Sequence, residues 1–128
     1  MTSDEILAVA DRFFKAIEAG DAEAIRSCYA PDARIWHNFD GVEQAVDDNL
    51  KVLAWMKPRL LNKHYDVQRR VPLETGFLQQ HVLRGELKDG TAFAMPACVI
   101  CQVSDGRITR LEEYLDSAHA ALLRSKDA

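Results

Sequence analysis

The stretch whose reading decides the fold is Asp105-Gly106-Arg107-Ile108-Thr109-Arg110-Leu111-Glu112-Glu113-Tyr114-Leu115-Asp116. The turn dipeptide Asp105-Gly106 launches a run with β-branched and apolar residues at alternate positions, the pattern of a hairpin strand. The run closes on an acid, Asp116, beside Tyr114 and Leu115. A carboxylate at the end of a well-patterned strand either stands in solvent or points into a cavity. Tyr114 shares a strand face with Asp116, because side chains alternate along a strand.

Working back from this strand, three more apolar runs read as sheet, near residues 62–74, 76–88 and 91–104. Lys88-Asp89-Gly90 and Ser104-Asp105-Gly106 are the clearest turns between them. Helical spacing dominates the first half. Thr2 with Glu5 makes a capping box, and Ile6, Val9, Phe13, Phe14 and Ile17 repeat at helical period over residues 3–19. Gly20 suits the stop of that helix and Asp21 the cap of a short second one, from Ala22 to about Tyr29. Pro31 prevents it from continuing. Asp32 to Phe39 has strand character around Ile35 and Trp36. A third helix is expected from a box-like start at Asp40 and Glu43 to about Lys57, before Pro58. The tail, Ser117 to Ala128, is expected to be a short helix that then frays. Helices followed by a meander of strands predict an α+β fold, with an antiparallel sheet covered on one face.

Composition narrows the function classes. With 128 residues the chain is long enough for one domain with a core of its own. Hydrophobic residues at 48% and charged residues at 28% are those of an ordinary globular protein. A formal charge of −4 offers no basic patch, so nucleic acid is not an expected partner. No apolar run approaches the roughly 18 residues of a membrane span, and the start is acidic rather than signal-like, so a cytoplasmic protein without a membrane partner is expected. Cys98 and Cys101 form a C-x-x-C, but an offset of three places them on opposite faces of a strand. With Cys28 they read as reduced, hydrophobe-like thiols.

The order helix, helix, strand, helix, four strands resembles the nuclear transport factor 2-like superfamily. Its members include ketosteroid isomerase, the SnoaL-like polyketide cyclases and limonene-epoxide hydrolase. The resemblance is carried by Phe13-Phe14-Lys15-Ala16-Ile17-Glu18-Ala19-Gly20-Asp21, by Tyr29-Ala30-Pro31-Asp32-Ala33, and by Asp105 to Thr109 running into Glu113-Tyr114-Leu115-Asp116. It covers essentially the whole chain, as one SnoaL-like domain. It implies a cone-shaped curved sheet, mixed or antiparallel, wrapped around the long first helix as a cystatin-like α+β barrel, a deep apolar pocket, and a homodimer formed through the outer face of the sheet.

The resemblance also suggests site residues. Asp116 matches the general base at the end of the last strand in the cyclases and the hydrolase; its bland reading is a cap for the tail helix. His37 falls near the position of the isomerase's catalytic aspartate. Matching instead on the aromatic-x-Asn pattern selects Trp36 and Asn38, one residue out of register and on the other strand face. Since Arg34 prefers solvent, plain alternation sends Ala33, Ile35 and His37 inward. In the run at 76–88, an inward odd face presents Gln79 and His81, an inward even face Gln80, Val82 and Arg84. Gln80 and Val82 stand where the hydrolase has an arginine and an aspartate, so that chemistry is not carried over whole. Phe13 and Phe14 occupy the region of the isomerase's oxyanion tyrosine, which argues against that specific reaction. Phe14 and Trp55 are expected to line the pocket, and Tyr114 to offer a hydroxyl.

The expectation is an enzyme that uses no cofactor and acts on a small hydrophobic molecule by acid–base catalysis, as isomerase, cyclase, lyase or hydrolase. Asp116, His37 and His81 are its catalytic candidates; Trp36, Asn38, Gln80, Tyr114, Phe14 and Trp55 its substrate contacts. His64 and His119 complete no recognisable metal-ligand set. The alternative is a protein of the same fold that binds a small molecule without turning it over.

Overall fold

A computed structural model describes residues 1–125. Helices α1 (Ser3–Ala19) and α2 (Ala22–Cys28) come first, then strands β1 (Tyr29–His37) and β2 (Glu43–Gln44) and helix α3 (Val46–Met56). Strands β3 (Leu61–Pro72), β4 (Gly76–Glu86), β5 (Ala92–Ser104) and β6 (Arg107–Leu115) follow, and helix α4 (Ser117–Ser125) ends the described chain. The six strands form one open sheet in the order β2-β1-β6-β5-β4-β3. All neighbours are antiparallel except β1 and β6, which run parallel, so the sheet is mixed.

The local signals explain most of these elements. Thr2 and Glu5 satisfy each other's backbone amides at the start of α1. Gly20 closes it at φ 68°, a left-handed conformation that glycine adopts without Cβ strain. Asp21 accepts from the Ala24 amide and starts α2. The inner stripe of α1, with Val9, Phe13, Phe14 and Ile17, is buried against the concave face of the sheet. Glu18 ties this helix to the sheet by accepting from the Tyr65 amide at 2.7 Å.

The third helix begins later than its sequence suggests. Gly41 has φ 65°, and Asp40 turns back to accept from the Val42 amide at 3.0 Å, so the chain makes a turn there. Glu43 and Gln44 then pair with Trp36 and Ile35 as the edge strand β2. The helix is capped at Ala45, whose amide donates to the Asp48 carboxylate at 3.2 Å. Val42 is consequently exposed rather than on a buried helical face. In the tail, α4 is present, while fraying was expected at residues outside those described. Among the described residues, no helix is long and apolar enough to cross a membrane.

One irregularity in β6 governs everything on its inner side. Gln102 pairs with Arg110 but Val103 pairs with Ile108, which leaves Thr109 as an extra residue. Such a bulge exchanges the strand's faces. Ile108 and Leu111, three apart, are therefore both buried. Beyond the bulge the odd positions face inward and the even ones outward.

Candidate functional site

A cavity of about 500 Å³ lies between the concave face of the sheet and the helices, within the roughly 300–1,000 Å³ range of small-molecule sites. Phe13, Phe14 and Ile17 from α1, Leu53, Trp55 and Met56 from α3, and Leu83, Met95 and Val99 from the sheet give it an apolar wall. Exposed Phe39, Val52 and Lys51 also line it and mark its mouth.

The polar groups on this wall are few. His37 and Glu113 are Cα register partners across the parallel β1–β6 pair, so their side chains leave the sheet side by side on the same face. His37 Nε2 meets Glu113 Oε1 at 3.0 Å, with only 14% and 18% of the two side chains exposed. Burial pushes the imidazole pKa down, but the Glu113 hydrogen bond, the Glu113 charge and the Asp40 charge outweigh it, and the net shift is upward from 6.5. With Nε2 bound to the carboxylate, Nδ1 carries the free lone pair of the neutral ring. Among the described residues it has no hydrogen-bond partner.

Asn38 fastens this arrangement. Its backbone amide donates to the Glu113 carbonyl at 3.1 Å, and its side-chain oxygen receives the Leu115 amide at 3.0 Å. The Asn38 side chain thus continues the β1–β6 ladder where β1 has ended, holding the backbone on either side of Glu113. A second polar pair lies deeper. Tyr29 Oη donates to Asn49 Oδ1 at 2.9 Å, and both residues line the cavity.

The family model for the SnoaL-like domain matches residues 10–111, most of the chain. The chain belongs to the SnoaL-like domain family. No curated protein matches it by sequence. Among solved structures, IdmH of Streptomyces antibioticus, a proposed polyketide cyclase, is 21% identical with a TM-score of 0.79, over 92% of this chain and 96% of that one. An LEH-like epoxide hydrolase of M. tuberculosis is 16% identical with a TM-score of 0.75, covering 94% and 89%. A protein of ketosteroid isomerase-like fold from Catenulispora acidiphila, solved in complex with trimethylamine, is 17% identical with a TM-score of 0.72, covering 83% of each chain. At these identities the likeness establishes the fold.

Within this SnoaL-like domain the residues singled out from sequence divide sharply. His37, Phe14 and Trp55 line the cavity. Asp116 does not: it is exposed and accepts from the Ala118 amide at 2.9 Å, as the N-cap of α4. Tyr114, 46% exposed, stacks edge-on against Trp36 on the outer face, with centroids 5.3 Å apart. The bulge at Thr109 is the physical cause, since it turns the even residues of β6 outward. Trp36 follows the same outward parity on β1, and Gln80 is exposed on β4.

The odd face of β4 points inward, which buries Gln79 and His81, yet neither lines the cavity. His81 lies behind two cavity residues, its ring 4.7 Å from that of Tyr65 and 5.5 Å from that of Phe14. Its Nδ1 is 2.9 Å from Gln79 Nε2, and Gln79 Oε1 accepts from Arg70 Nε at 2.6 Å. Burial lowers the His81 pKa; Glu113 opposes that and Arg70 adds to it. Glu113, Tyr29 and Asn49 were not selected from sequence. The signal for Glu113 was the spacing Leu111-x-Glu113-x-Leu115, an acid centred between two inward apolar positions.

Proposed function

We propose that this SnoaL-like domain is an acid–base enzyme acting on a small hydrophobic carbonyl compound, with His37 as general base and Glu113 as the carboxylate that orients it. The observation carrying this reading is the 3.0 Å His37–Glu113 contact on the wall of an apolar cavity. A carboxylate bound to one ring nitrogen fixes the tautomer and leaves the other nitrogen to accept a proton, the division of labour in catalytic triads. His37 Nδ1 takes a proton from the carbon next to the substrate carbonyl. The C–H electron pair becomes a carbon–carbon double bond, and the carbonyl π pair moves onto oxygen. Where a conjugated double bond extends the enolate, return of the proton to a different carbon gives an isomer; attack of the enolate carbon on a second carbonyl in the same molecule closes a ring, and the alkoxide formed takes the proton back from the imidazolium.

The reading is tested by deuterium exchange. In D2O, 2-tetralone serves as a reporter ketone, and proton NMR follows loss of the signal next to its carbonyl. The protein should accelerate exchange, and His37→Ala should reduce the acceleration by about 10²-fold or more, the ordinary contribution of a general base. A protein that binds the ketone and leaves its exchange at the solvent rate is a carrier, which is the competing reading for this fold.

A further inference from the structure

Asn49 is a buried polar side chain of which only the oxygen has a protein partner among the described residues. It is 6% exposed, sits on α3 near its N-terminus, and lines the cavity. Its backbone amide is already satisfied by the Ala45 carbonyl at 3.2 Å, so the side chain caps nothing. Its one side-chain hydrogen bond among the described residues is the 2.9 Å contact from Tyr29 Oη to Oδ1. Tyr29 is 3% exposed and sits edge-on to Phe13, with ring centroids 5.2 Å apart. Burial raises its pKa well above the ordinary value of 10, which keeps the hydroxyl protonated and a donor.

The Tyr29 contact sets the amide's orientation, with Oδ1 toward the hydroxyl. A phenol that donates to Oδ1 leaves Nδ2 as the free end, with two N–H donors and, among the described residues, no protein acceptor. Nδ2 is not among the fully buried side-chain atoms left without a partner, which among the described residues are Gln44 Oε1, His81 Nε2 and His119 Nδ1, and Asn49 lines the cavity. Besides the His37–Glu113 and Tyr29–Asn49 pairs, the lining carries Asp40, Gln44, Lys51, Tyr65 and Arg124 among apolar side chains.

We infer that Asn49 Nδ2 donates a hydrogen bond to an uncharged oxygen of the ligand, with Tyr29 as the positioning residue that holds the amide in its donating orientation. The inference rests on the proposed function for its catalytic meaning: the oxygen that gains charge when His37 removes a proton is the one Asn49 holds. It also points to a ligand with a carbonyl oxygen, since a neutral amide N–H suits a neutral acceptor.

The test uses 2-tetralone and its oxygen-free counterpart tetralin as probes. Infrared spectroscopy of bound 2-tetralone, labelled with carbon-13 at the carbonyl, should show a band shifted to lower wavenumber than in an apolar solvent. That shift should disappear in Asn49→Leu, shrink in Tyr29→Phe, and persist in His37→Ala. In the wild-type protein, the Asn49 side-chain amide protons should move downfield on adding tetralone and not on adding tetralin, a readout that requires no variant to fold. Exchange next to the carbonyl should fall about 10²-fold in Asn49→Leu, the usual loss on removing one oxyanion donor. A carbonyl band unchanged by Asn49→Leu, amide protons indifferent to tetralone, or failure of the wild type to bind tetralone overturns the inference. A shifted band without exchange leaves the inference standing and removes the proposed enzymatic role, so the two fail separately.

Discussion

His37 stands between opposing demands: an apolar surrounding that favours the neutral ring and a carboxylate that favours the charged one. The carboxylate prevails, so the base becomes available only above the ordinary histidine range. Exchange activity should therefore rise with pH through a midpoint above 6.5. Glu113→Gln removes the cause of the upward shift and leaves burial, so the midpoint should fall while the maximal rate drops by roughly 10²- to 10⁴-fold. A pH–rate profile of the two proteins checks both. His81 shows the reverse case. Its folded pKa is lowered, so its contribution to stability is present above 6.5 and is lost as pH falls below that value. Protonation at Nδ1 would set an N–H against the Gln79 amide and disturb the Arg70 contact behind it. The fall in melting temperature between pH 7 and pH 5 should be shallower in His81→Gln than in the wild type. Of these groups, His37 was legible in the sequence because Ala33, Ile35 and His37 keep strict alternation. Glu113 was harder to read: the spacing Leu111-x-Glu113-x-Leu115 pointed to it, but nothing in the string of β6 marks Thr109 as the residue that turns that face inward.

Elements show the same division between local and non-local causes. Caps and turn residues predicted α1, α2 and the hairpins well, because Thr2, Gly20, Asp21 and the pairs Asp89-Gly90 and Asp105-Gly106 act on their immediate neighbours. The delayed start of α3 was not legible, since β2 exists only through pairing with β1. Gly76, at the head of β4, is another non-local constraint. A Cβ there would lie 1.8 Å from the Cys101 carbonyl oxygen on β5. The β4–β5 spacing cannot relax at one point without moving the ladder around it. Gly76→Ala should cost about 3 kcal/mol, the upper end of ordinary single-residue effects, read by urea denaturation. Gly90→Ala serves as the comparison: its added Cβ would meet nothing within 4 Å, so its cost should come from its positive φ alone and be smaller.

For the molecule as a whole, the apolar wall of the cavity means that the folded chain is not at its most stable when empty. A ligand that binds only the folded state stabilises it by about 2.7 kcal/mol at one hundred times its dissociation constant. For a chain of this size that corresponds to roughly 10 °C in melting temperature. Saturating 2-tetralone should produce a rise of that order in differential scanning fluorimetry, and Leu83→Arg, which places a charge on the wall, should abolish it. The architecture was legible from the order of elements and the residues of the family resemblance. The open, mixed character of the sheet required the β1–β6 pairing, which joins segments from distant parts of the sequence.

That pairing has a consequence for how the protein comes into being. The strand made last takes a central place, between β1 on one side and β5 on the other. Until it inserts, the early and late portions are two separate ribbons with unsatisfied edges, prone to self-association. Assembly resembles closing a zip whose slider is the final strand, and the imidazole has no carboxylate companion before that moment. A chain halted upstream of Arg107 would be both inert and adhesive, so competence and solubility should arrive together.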